Sequence, residues 1–229
     1  MNVLQRFVTS LRNQGLAATL IKTIGPFFDR RFDAQYGIDT CGVSRLDEFT
    51  IESENRDHGA RYEASRVLPL RRMMSEIPKL MPDKPVLMDL GSGKGRVLFV
   101  GAEAGFKDLR GVEFAAELCD IAERNWKIFK ARTSSPATCE IIRGDVTQYG
   151  IRPDENVFFM FNPFDEVILV KVLNNLLHSL AAHPREILVV VCLPSQQYQV
   201  AFEQSGVFRR THRFNFWGCD FSVYSNRGH

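Results

Sequence analysis

Residues 86–96 read Val-Leu-Met-Asp-Leu-Gly-Ser-Gly-Lys-Gly-Arg, and a helical pattern follows them directly. The apolar run predicts a buried strand, and the glycines allow a sharp turn in which a ligand can approach the main chain closely. The helix after the turn offers unpaired backbone N–H groups and a partial positive charge. This stretch therefore predicts a strand, a turn and a helix that together bind a nucleotide-like cofactor.

The order of residues in the glycine loop discriminates among cofactors. A P-loop needs Ser or Thr after its Gly-Lys pair, whereas Gly95 follows Lys94. The dinucleotide fingerprint needs Gly or Ala three residues after Gly93, and Arg96 occupies that position. Asp89, near the end of the strand, suits a cationic amino group better than a pyrophosphate. An NAD-dependent oxidoreductase is therefore disfavoured, and a cofactor without phosphate fits better.

From residue 84 onward, short apolar runs alternate with helical patterns. This alternation is typical of βαβ units that form a parallel sheet. The expected strands are Val86–Leu90, Leu109–Glu113, Glu140–Arg143, Val157–Phe161 and Ile187–Leu193, and the expected helices begin at Gly95 and span Ala115–Lys130 and Asp165–Ala182. Two further runs, Phe208–Phe216 and Asp220–Ser225, flank a Trp-Gly-Cys turn and predict a closing antiparallel hairpin.

The N-terminal part has a different pattern. Apolar residues at steps of three to five predict an amphipathic helix that Gly25-Pro26 ends. Packing on the main domain is the favoured role for this helix, with a homodimer contact or a membrane surface as alternatives. Residues 29–60 predict an irregular connection, and a second helix is expected over Ala60–Glu76, stopped by Ile77-Pro78. We expect a helical extension or lid over residues 1–60 and one domain over 61–229.

The net charge, the cysteine spacing and the length of the apolar windows indicate which kinds of partner and setting suit this chain. The chain has 229 residues, 45% hydrophobic and 24% charged, with a net charge of +2. A near-neutral charge and the lack of a basic–aromatic stripe make nucleic acid an unfavoured partner. Five scattered cysteines without a CxxC pair indicate neither a disulfide framework nor a zinc site, and they favour a cytoplasmic setting. No metal cluster is evident, and no window reaches the roughly 18 apolar residues of a membrane span.

Residues 89–95, Asp-Leu-Gly-Ser-Gly-Lys-Gly, resemble the first motif of class I S-adenosylmethionine (SAM)-dependent methyltransferases. By motif, the resemblance covers roughly residues 80–195. It implies a Rossmann-like, seven-stranded, mostly parallel sheet with flanking helices and an antiparallel hairpin at one edge. The chain is also similar to bacterial methyltransferases distantly like the Dot1 and lysine-methylating groups. That likeness implies a protein or amine substrate, by analogy of fold.

Further positions match the family residue by residue. Glu113 ends the second strand about 20 residues past the glycines, where a carboxylate can accept both ribose hydroxyls; alternatively it favours a helix dipole. Asp145 and Val146 match the residues that meet the adenine amine and a ring nitrogen, although an Asp can also simply cap a turn. Tyr62 either covers the cofactor or packs on the core. The implied cofactor contacts are Asp89, Gly91, Ser92, Gly93, Gly95, Glu113, Phe114, Asp145, Val146, Asn162 and Tyr62.

The fourth strand of the repeat ends in Asn162-Pro163-Phe164. This turn resembles the Asn/Asp-Pro-Pro-aromatic motif of methyltransferases that act on planar nitrogens, with one proline missing. In that motif the Asn oxygen and a backbone carbonyl accept hydrogen bonds from an amino group, and the aromatic ring packs over it. The resemblance implies catalytic roles for all three residues. The alternative is a plain strand-to-helix turn in which Asp165 caps the helix.

The sequence therefore predicts a SAM-dependent methyltransferase whose favoured acceptor is a nitrogen of a protein side chain or of a small amine. Methyl transfer from a sulfonium needs alignment and exclusion of water, so it requires no dedicated base. His58 and His212 are candidate bases that their spacing does not distinguish from surface histidines, and Arg96 is either a solvated residue or a partner of a substrate carboxylate. The alternatives are a small-molecule O-methyltransferase and a SAM-binding module without catalysis.

Overall fold

The computed structural model describes residues 23–81 and 83–227. The strands are β1 Val43–Ser44, β2 Tyr62–Glu63, β3 Val86–Leu90, β4 Asp108–Glu113, β5 Thr138–Arg143, β6 Val157–Met160, β7 Leu188–Cys192, β8 Arg209–Phe216 and β9 Cys219–Ser225. Seven of them form one sheet in the order β5-β4-β3-β6-β7-β9-β8, and β1 pairs with β2 in a separate ribbon. Strands β3 to β7 are parallel, whereas β9 runs antiparallel to both β7 and β8. The predicted Rossmann-like sheet with its closing hairpin is confirmed.

Helices cover both faces of this sheet. They are α1 over residues 23–36, α2 Val67–Leu80, α3 Arg96–Glu103, α4 Ala116–Thr133, α5 Glu166–Ala182 and α6 Gln196–Gln204. Successive strand residues enter opposite cores: Leu87 packs with α1 to α4, and Met88 packs with α5 and α6. All five residues of β3 are buried. This burial on both faces explains why the central strands appear in the sequence as unbroken apolar runs.

The structure corrects the expected end of the first helix. Helix α1 passes Gly25-Pro26 and continues to residue 36, so the irregular connection predicted from residue 29 begins later. The cause is tertiary, because Phe32 is only 1% exposed in the core and Tyr36 packs on Phe129 with ring centroids 4.8 Å apart. The part of the amphipathic helix predicted over residues 1–22, and with it the homodimer contact proposed for that helix, lies outside the described residues.

Helix α2 also differs from its predicted bounds. It begins at Val67 rather than Ala60, because Tyr62 and Glu63 pair with β1 instead. Its first turn is capped from outside, by a hydrogen bond from the Val67 backbone N–H to Asp29 Oδ1 at 2.9 Å. At the other end the helix passes Pro78 and reaches Leu80.

Helix α6 was not expected from the sequence. It begins after Ser195, whose side chain accepts a hydrogen bond from the backbone N–H of Tyr198, and this short-range cap was the available signal. Among the described residues, no helix is both long enough and apolar enough to cross a membrane.

Candidate active site

A cleft of about 650 Å³, open to solvent, lies at the carboxyl ends of β3, β4 and β6. Strand β3 has β4 on one side and β6 on the other, so the chain reverses its direction of travel across the sheet at this point. Open α/β sheets bind ligands at such switch points. The cleft is lined by the glycine loop, by residues 60–65 and by Asp89, Glu113, Phe114, Phe161, Asn162 and Pro163. The structure thus brings most of the predicted site residues together.

The glycine loop is enclosed on two sides. Gly91 has a φ of 84°, and a Cβ there would lie 2.4 Å from Pro163 Cβ. Gly93 has a φ of 51°, and a Cβ there would lie 2.4 Å from Cε2 of Tyr62. These left-handed conformations and close contacts require glycine at both positions. The loop therefore holds its neighbours in direct contact with its main chain.

Replacing Gly93 with Ala should destabilise the protein by about 1–3 kcal/mol and weaken SAM binding, because the new Cβ strains the backbone and displaces the Tyr62 ring. Gly105→Ala is the matched control, since Gly105 has a φ of 96° but a Cβ added there would meet no described atom within 4 Å. Urea unfolding and SAM titration measure both effects. Equal losses of SAM affinity in the two variants would contradict a role for the Tyr62 contact.

Asp89 is 3% exposed, and its Oδ2 has no hydrogen-bond partner among the described residues. Burial, followed by the neighbouring carboxylate of Glu113, raises the pKa of Asp89 well above its usual value. The Oγ of Ser92 in the same cleft likewise lacks a partner within residues 23–81 and 83–227. Buried polar atoms without partners are costly, so these two atoms indicate a polar ligand that completes their hydrogen bonding.

Glu113 is held in place by the backbone around it. One carboxylate oxygen accepts a hydrogen bond from the Gly93 N–H at 2.8 Å, and the other accepts one from the Ala115 N–H at 2.9 Å. Burial raises the pKa of Glu113, and these N–H donors offset part of that rise. Each oxygen keeps further acceptor capacity for a ligand hydroxyl.

Asp145 and Val146 line a second cleft of about 370 Å³ that shares Gly91, Phe114 and Pro163 with the first. Asp145 Oδ2 accepts hydrogen bonds from Ser53 Oγ and, at 2.7 Å, from Asn55 Nδ2. Partial burial opposes ionisation of Asp145, but these hydrogen bonds outweigh it and lower the pKa. No local pattern pointed to Ser53 and Asn55, because they lie about 90 residues away in the chain.

Asn162 has a left-handed φ of 40°. Its Nδ2 donates a hydrogen bond to the Leu193 carbonyl at 2.7 Å, whereas its Oδ1 is buried without a partner among the described residues. The Pro163 carbonyl already accepts the Ala60 N–H at 2.9 Å. The ring of Phe164 lies in the core, where it stacks on Tyr198 with centroids 6.4 Å apart, and lines the second cleft. Asn162 lines the first cleft and has a buried side-chain oxygen without a partner among the described residues.

Residues 58–60 form a strap across the Asn-Pro-Phe turn. Gly59 bridges to Phe164, and the His58 carbonyl accepts the Asp165 N–H at 3.0 Å. His58 Nδ1 lies 2.6 Å from Asp165 Oδ2, and Asp165 also caps α5 through its Oδ1, as the alternative interpretation of the turn expected. His58 therefore pairs with a carboxylate of the turn rather than lining either cleft.

The segment after the strap carries Tyr62, which lies in β2 and not on a helix surface. Its ring packs on Gly93, and its hydroxyl donates a hydrogen bond to the Thr40 carbonyl at 2.6 Å. Tyr62 is thus fixed between the N-terminal region and the glycine loop, at the wall of the first cleft.

Arg96 is 4% exposed, so it is not the solvated residue that one interpretation expected, and although it lines the first cleft its guanidinium is bound by internal partners. The guanidinium lies 3.6 Å from Asp29 and 3.7 Å from Asp33 of α1, and its Nε donates a hydrogen bond to Thr40 Oγ1 at 2.8 Å. Asp33 in turn accepts the Thr40 backbone N–H at 2.8 Å. Arg96 therefore joins helix α3, which follows the glycine loop, to the N-terminal region.

A metal is not indicated in the described part of the chain, which contains no group of three His, Cys, Asp or Glu side chains that could hold one.

Comparison with known proteins agrees with this architecture. The family described as "Histone methylation protein DOT1" matches residues 69–145. A search of curated protein sequences finds no match.

Among solved structures, ribosomal protein L11 methylase of Lactobacillus delbrueckii subsp. bulgaricus superposes with a TM-score of 0.53 at 15% identity, covering 73% of this chain and 81% of that one. A Pyrococcus horikoshii protein, provisionally described as an RNA methyltransferase, gives 0.52 at 16% identity, with coverages of 79% and 92%. Magnesium protoporphyrin IX methyltransferase of Synechocystis gives 0.50 at 10% identity, with coverages of 92% and 96%. At these identities the likenesses show a shared fold. The chain therefore has the class I, Rossmann-like fold of SAM-dependent methyltransferases, and its residues 69–145 resemble the matched family.

Proposed function

We propose that this protein transfers a methyl group from SAM to a nitrogen of a protein side chain or of a small amine. The observation that carries the proposal is the amide of Asn162. Its Nδ2 donates to the Leu193 carbonyl, and its Oδ1 is a buried acceptor without a partner in the described structure, in a residue that lines the cleft. A group that completes this site must donate a hydrogen bond, as an N–H does.

The residues of the two clefts fit SAM part by part. Asp89 and Ser92 offer unpartnered oxygens to a cationic amino group, and Glu113 lies where it can accept ribose hydroxyls. The second cleft, walled by Val112, Val146 and Phe164, suits a flat adenine ring. When bound there, SAM supplies an electrophilic methyl carbon on a sulfonium, whose sulfur keeps the electron pair as the carbon–sulfur bond breaks.

The protein itself contributes the alignment of the acceptor nitrogen with the methyl group. Asn162 Oδ1 accepts the N–H of the acceptor and so directs the nitrogen lone pair toward the methyl group. The nitrogen then loses a proton to water, which requires no dedicated base. Ala60 of the strap and Tyr62 line one side of the cleft, and we propose that the N-terminal region acts as a lid there when SAM and acceptor are bound.

Calorimetric titration with SAM, S-adenosylhomocysteine and NAD tests the cofactor. We expect micromolar binding of both adenosyl compounds and none of NAD. Turnover with methyl-tritiated SAM and a panel of lysine peptides, small amines and hydroxyl metabolites then tests the acceptor. Labelling of hydroxyl compounds alone would favour the O-methyltransferase alternative, and binding without any turnover would favour the non-catalytic module.

Asp89→Asn should weaken SAM binding tenfold or more, on the order of one charge-assisted hydrogen bond. The same change should raise the Tm of the cofactor-free protein at pH 8 by about 2–4 °C, because it removes an unpartnered buried carboxyl. The sign follows from linkage: a carboxyl whose pKa is raised on folding favours the folded state at low pH, and this contribution is lost as pH rises through the raised pKa.

The Tm of wild type should therefore fall more steeply than that of Asp89→Asn as pH rises above 4. Asp83→Asn, at an exposed carboxyl, is the matched control and should change neither quantity. A lower Tm for Asp89→Asn across this range, with full SAM affinity, would remove Asp89 from the site.

A further inference from the structure

The carboxyl edge of the sheet continues past the cleft, from β6 to β7, β9 and β8. A chain of hydrogen bonds follows it. Asn162 donates to the Leu193 carbonyl, and the Leu193 N–H donates to the Asp220 carbonyl at 2.7 Å. Asn215 Nδ2 donates to Asp220 Oδ1 at 2.9 Å, and Asn215 Oδ1 accepts the Gly218 N–H at 3.0 Å. Hydrogen bonds therefore connect the side-chain amide of Asn162, which we propose to bind the methyl acceptor, to the turn between β8 and β9.

Two large apolar side chains are exposed along this part of the edge. Leu193 is 41% exposed and Trp217, in the turn, is 43% exposed. Both have a left-handed backbone, with φ of 52° and 54°. At Trp217 this is the conformation that the two-residue hairpin turn requires, whereas at Leu193 it is unusual for a non-glycine residue. The surface beside the cleft thus offers apolar contacts on the side where an acceptor would lie.

Strand β8 forms the outer edge and is basic. It contains Arg209, Arg210 and Arg213, all exposed, and no acidic residue. Arg209 and Arg210 form no ion pair with any of residues 23–81 or 83–227, and Arg213 approaches Asp220 only to 3.8 Å. An edge strand also leaves a row of backbone N–H and C=O groups unpaired. The edge is therefore complementary to an acidic chain in extended conformation.

The exposure of the aromatic residues in β8 indicates which of two anionic partners, a single-stranded nucleic acid or an acidic peptide, suits this edge. Arginines and aromatic residues do occur together in this strand, a combination that was not expected from the sequence. His212, Phe214 and Phe216 stack in a row, but they are half-buried, and both phenylalanines pack against the core. A single-strand nucleic acid platform needs several exposed rings, and only Trp217 of this group is exposed. A peptide that adds a strand needs only the free backbone edge and complementary charges.

We propose that β8 is the docking strand for an acidic, extended segment of a protein acceptor, which pairs with this edge and presents its target nitrogen to Asn162. The proposal rests on the proposed N-methylation and names its substrate class. A strand added outside β8 lies four strand-to-strand steps from β6, about 19 Å, which an extended peptide covers in roughly six residues. The acidic segment therefore begins about six or more residues from the methylated side chain, with carboxylates at alternate positions on one face.

Fluorescence anisotropy with a dye-labelled peptide tests this docking. The probe carries one lysine, a spacer of about six residues that matches the span estimated from the strand spacing, and a Glu-Val repeat. Arg210→Glu/Arg213→Glu should weaken its binding about tenfold or more, whereas Arg124→Glu, at an exposed arginine of α4, should change it less than about twofold. A Lys-Val repeat should bind the double variant better than it binds wild type. Hydrogen exchange of the β8 amides should slow when the Glu-Val peptide binds.

Three outcomes would overturn the proposal. If the Glu-Val peptide does not bind, the arginines only protect the edge from pairing with other chains. If binding leaves the exchange of β8 amides unchanged, the contact is electrostatic and no strand is added. If an oligouridylate binds more tightly than the peptide and loses affinity in the double variant, the partner is nucleic acid. Calorimetric SAM binding is measured on the same samples. SAM binding without peptide binding contradicts the docking alone, whereas loss of SAM binding contradicts the proposed function.

Discussion

Asn162→Ala is expected to reduce methyl transfer by about 10²–10³-fold while SAM affinity stays within about twofold of wild type. The loss follows from removing an oxygen that has no partner among the described residues and can hold the acceptor N–H. SAM affinity should persist because the cofactor contacts that we propose lie at Asp89, Glu113 and the second cleft. Single-turnover assays with tritiated SAM and the best acceptor of the amine panel give the rate, and calorimetry gives the affinity.

Two further variants at this position distinguish the loss of the side-chain amide from strain in the left-handed backbone. Asn162→Gly also removes the amide but tolerates the left-handed φ of 40°, so it should lose as much activity as Asn162→Ala. Asn162→Asp keeps an oxygen acceptor but loses the donor to the Leu193 carbonyl, so it should fall between wild type and Asn162→Ala. Full activity in Asn162→Gly would assign the effect of the alanine variant to backbone strain.

Arg96→Ala is expected to reduce the free energy of unfolding by about 3–5 kcal/mol, because it leaves the buried Asp33 without its cation, whereas Asp29 keeps its ion pair with Arg66 at 2.6 Å. The effect should extend to the cleft. Arg96 binds Thr40 Oγ1, and the Thr40 carbonyl holds the hydroxyl of Tyr62. Urea unfolding measures the stability loss, and hydrogen exchange should show faster opening of the segment that carries Tyr62.

Arg96→Lys and Arg124→Ala control this prediction. Lysine keeps the charge but lacks the planar fork, so Arg96→Lys should recover part of the stability. Arg124 is exposed on α4, and its replacement should change stability by less than about 0.5 kcal/mol. A loss below about 1 kcal/mol in Arg96→Ala would mean that the buried carboxylates find other partners.

The repeat of parallel strands was predictable because its signal is local. Each central strand is an apolar run buried on both faces, and the bounds predicted for Val86–Leu90 agree with β3. The helices that follow these strands begin within a residue or so of their predicted starts. The glycine loop was predictable for the same reason, because its backbone conformation needs glycine at defined positions.

The N-terminal region was predicted less well, because contacts remote in sequence determine it. Helix α1 continues past Gly25-Pro26 because Phe32 finds a place in the core, and α2 begins where Asp29 caps it. The expected exposure of Arg96 was wrong for the same reason, since its partners Asp29 and Asp33 precede it by more than 60 residues.

The sequence by itself determined the sheet, the cofactor loop and the identity of the acidic residues at the strand ends, since each depends on apolar runs, glycine conformations and side-chain chemistry at short range. Only the tertiary structure decided which atoms of those residues remain free. It committed the Pro163 carbonyl to the strap and left Asn162 Oδ1 without a partner among the described residues. A hydrogen-bond partner is assigned by proximity in space, and the strap and the turn that it meets are about 100 residues apart in the chain.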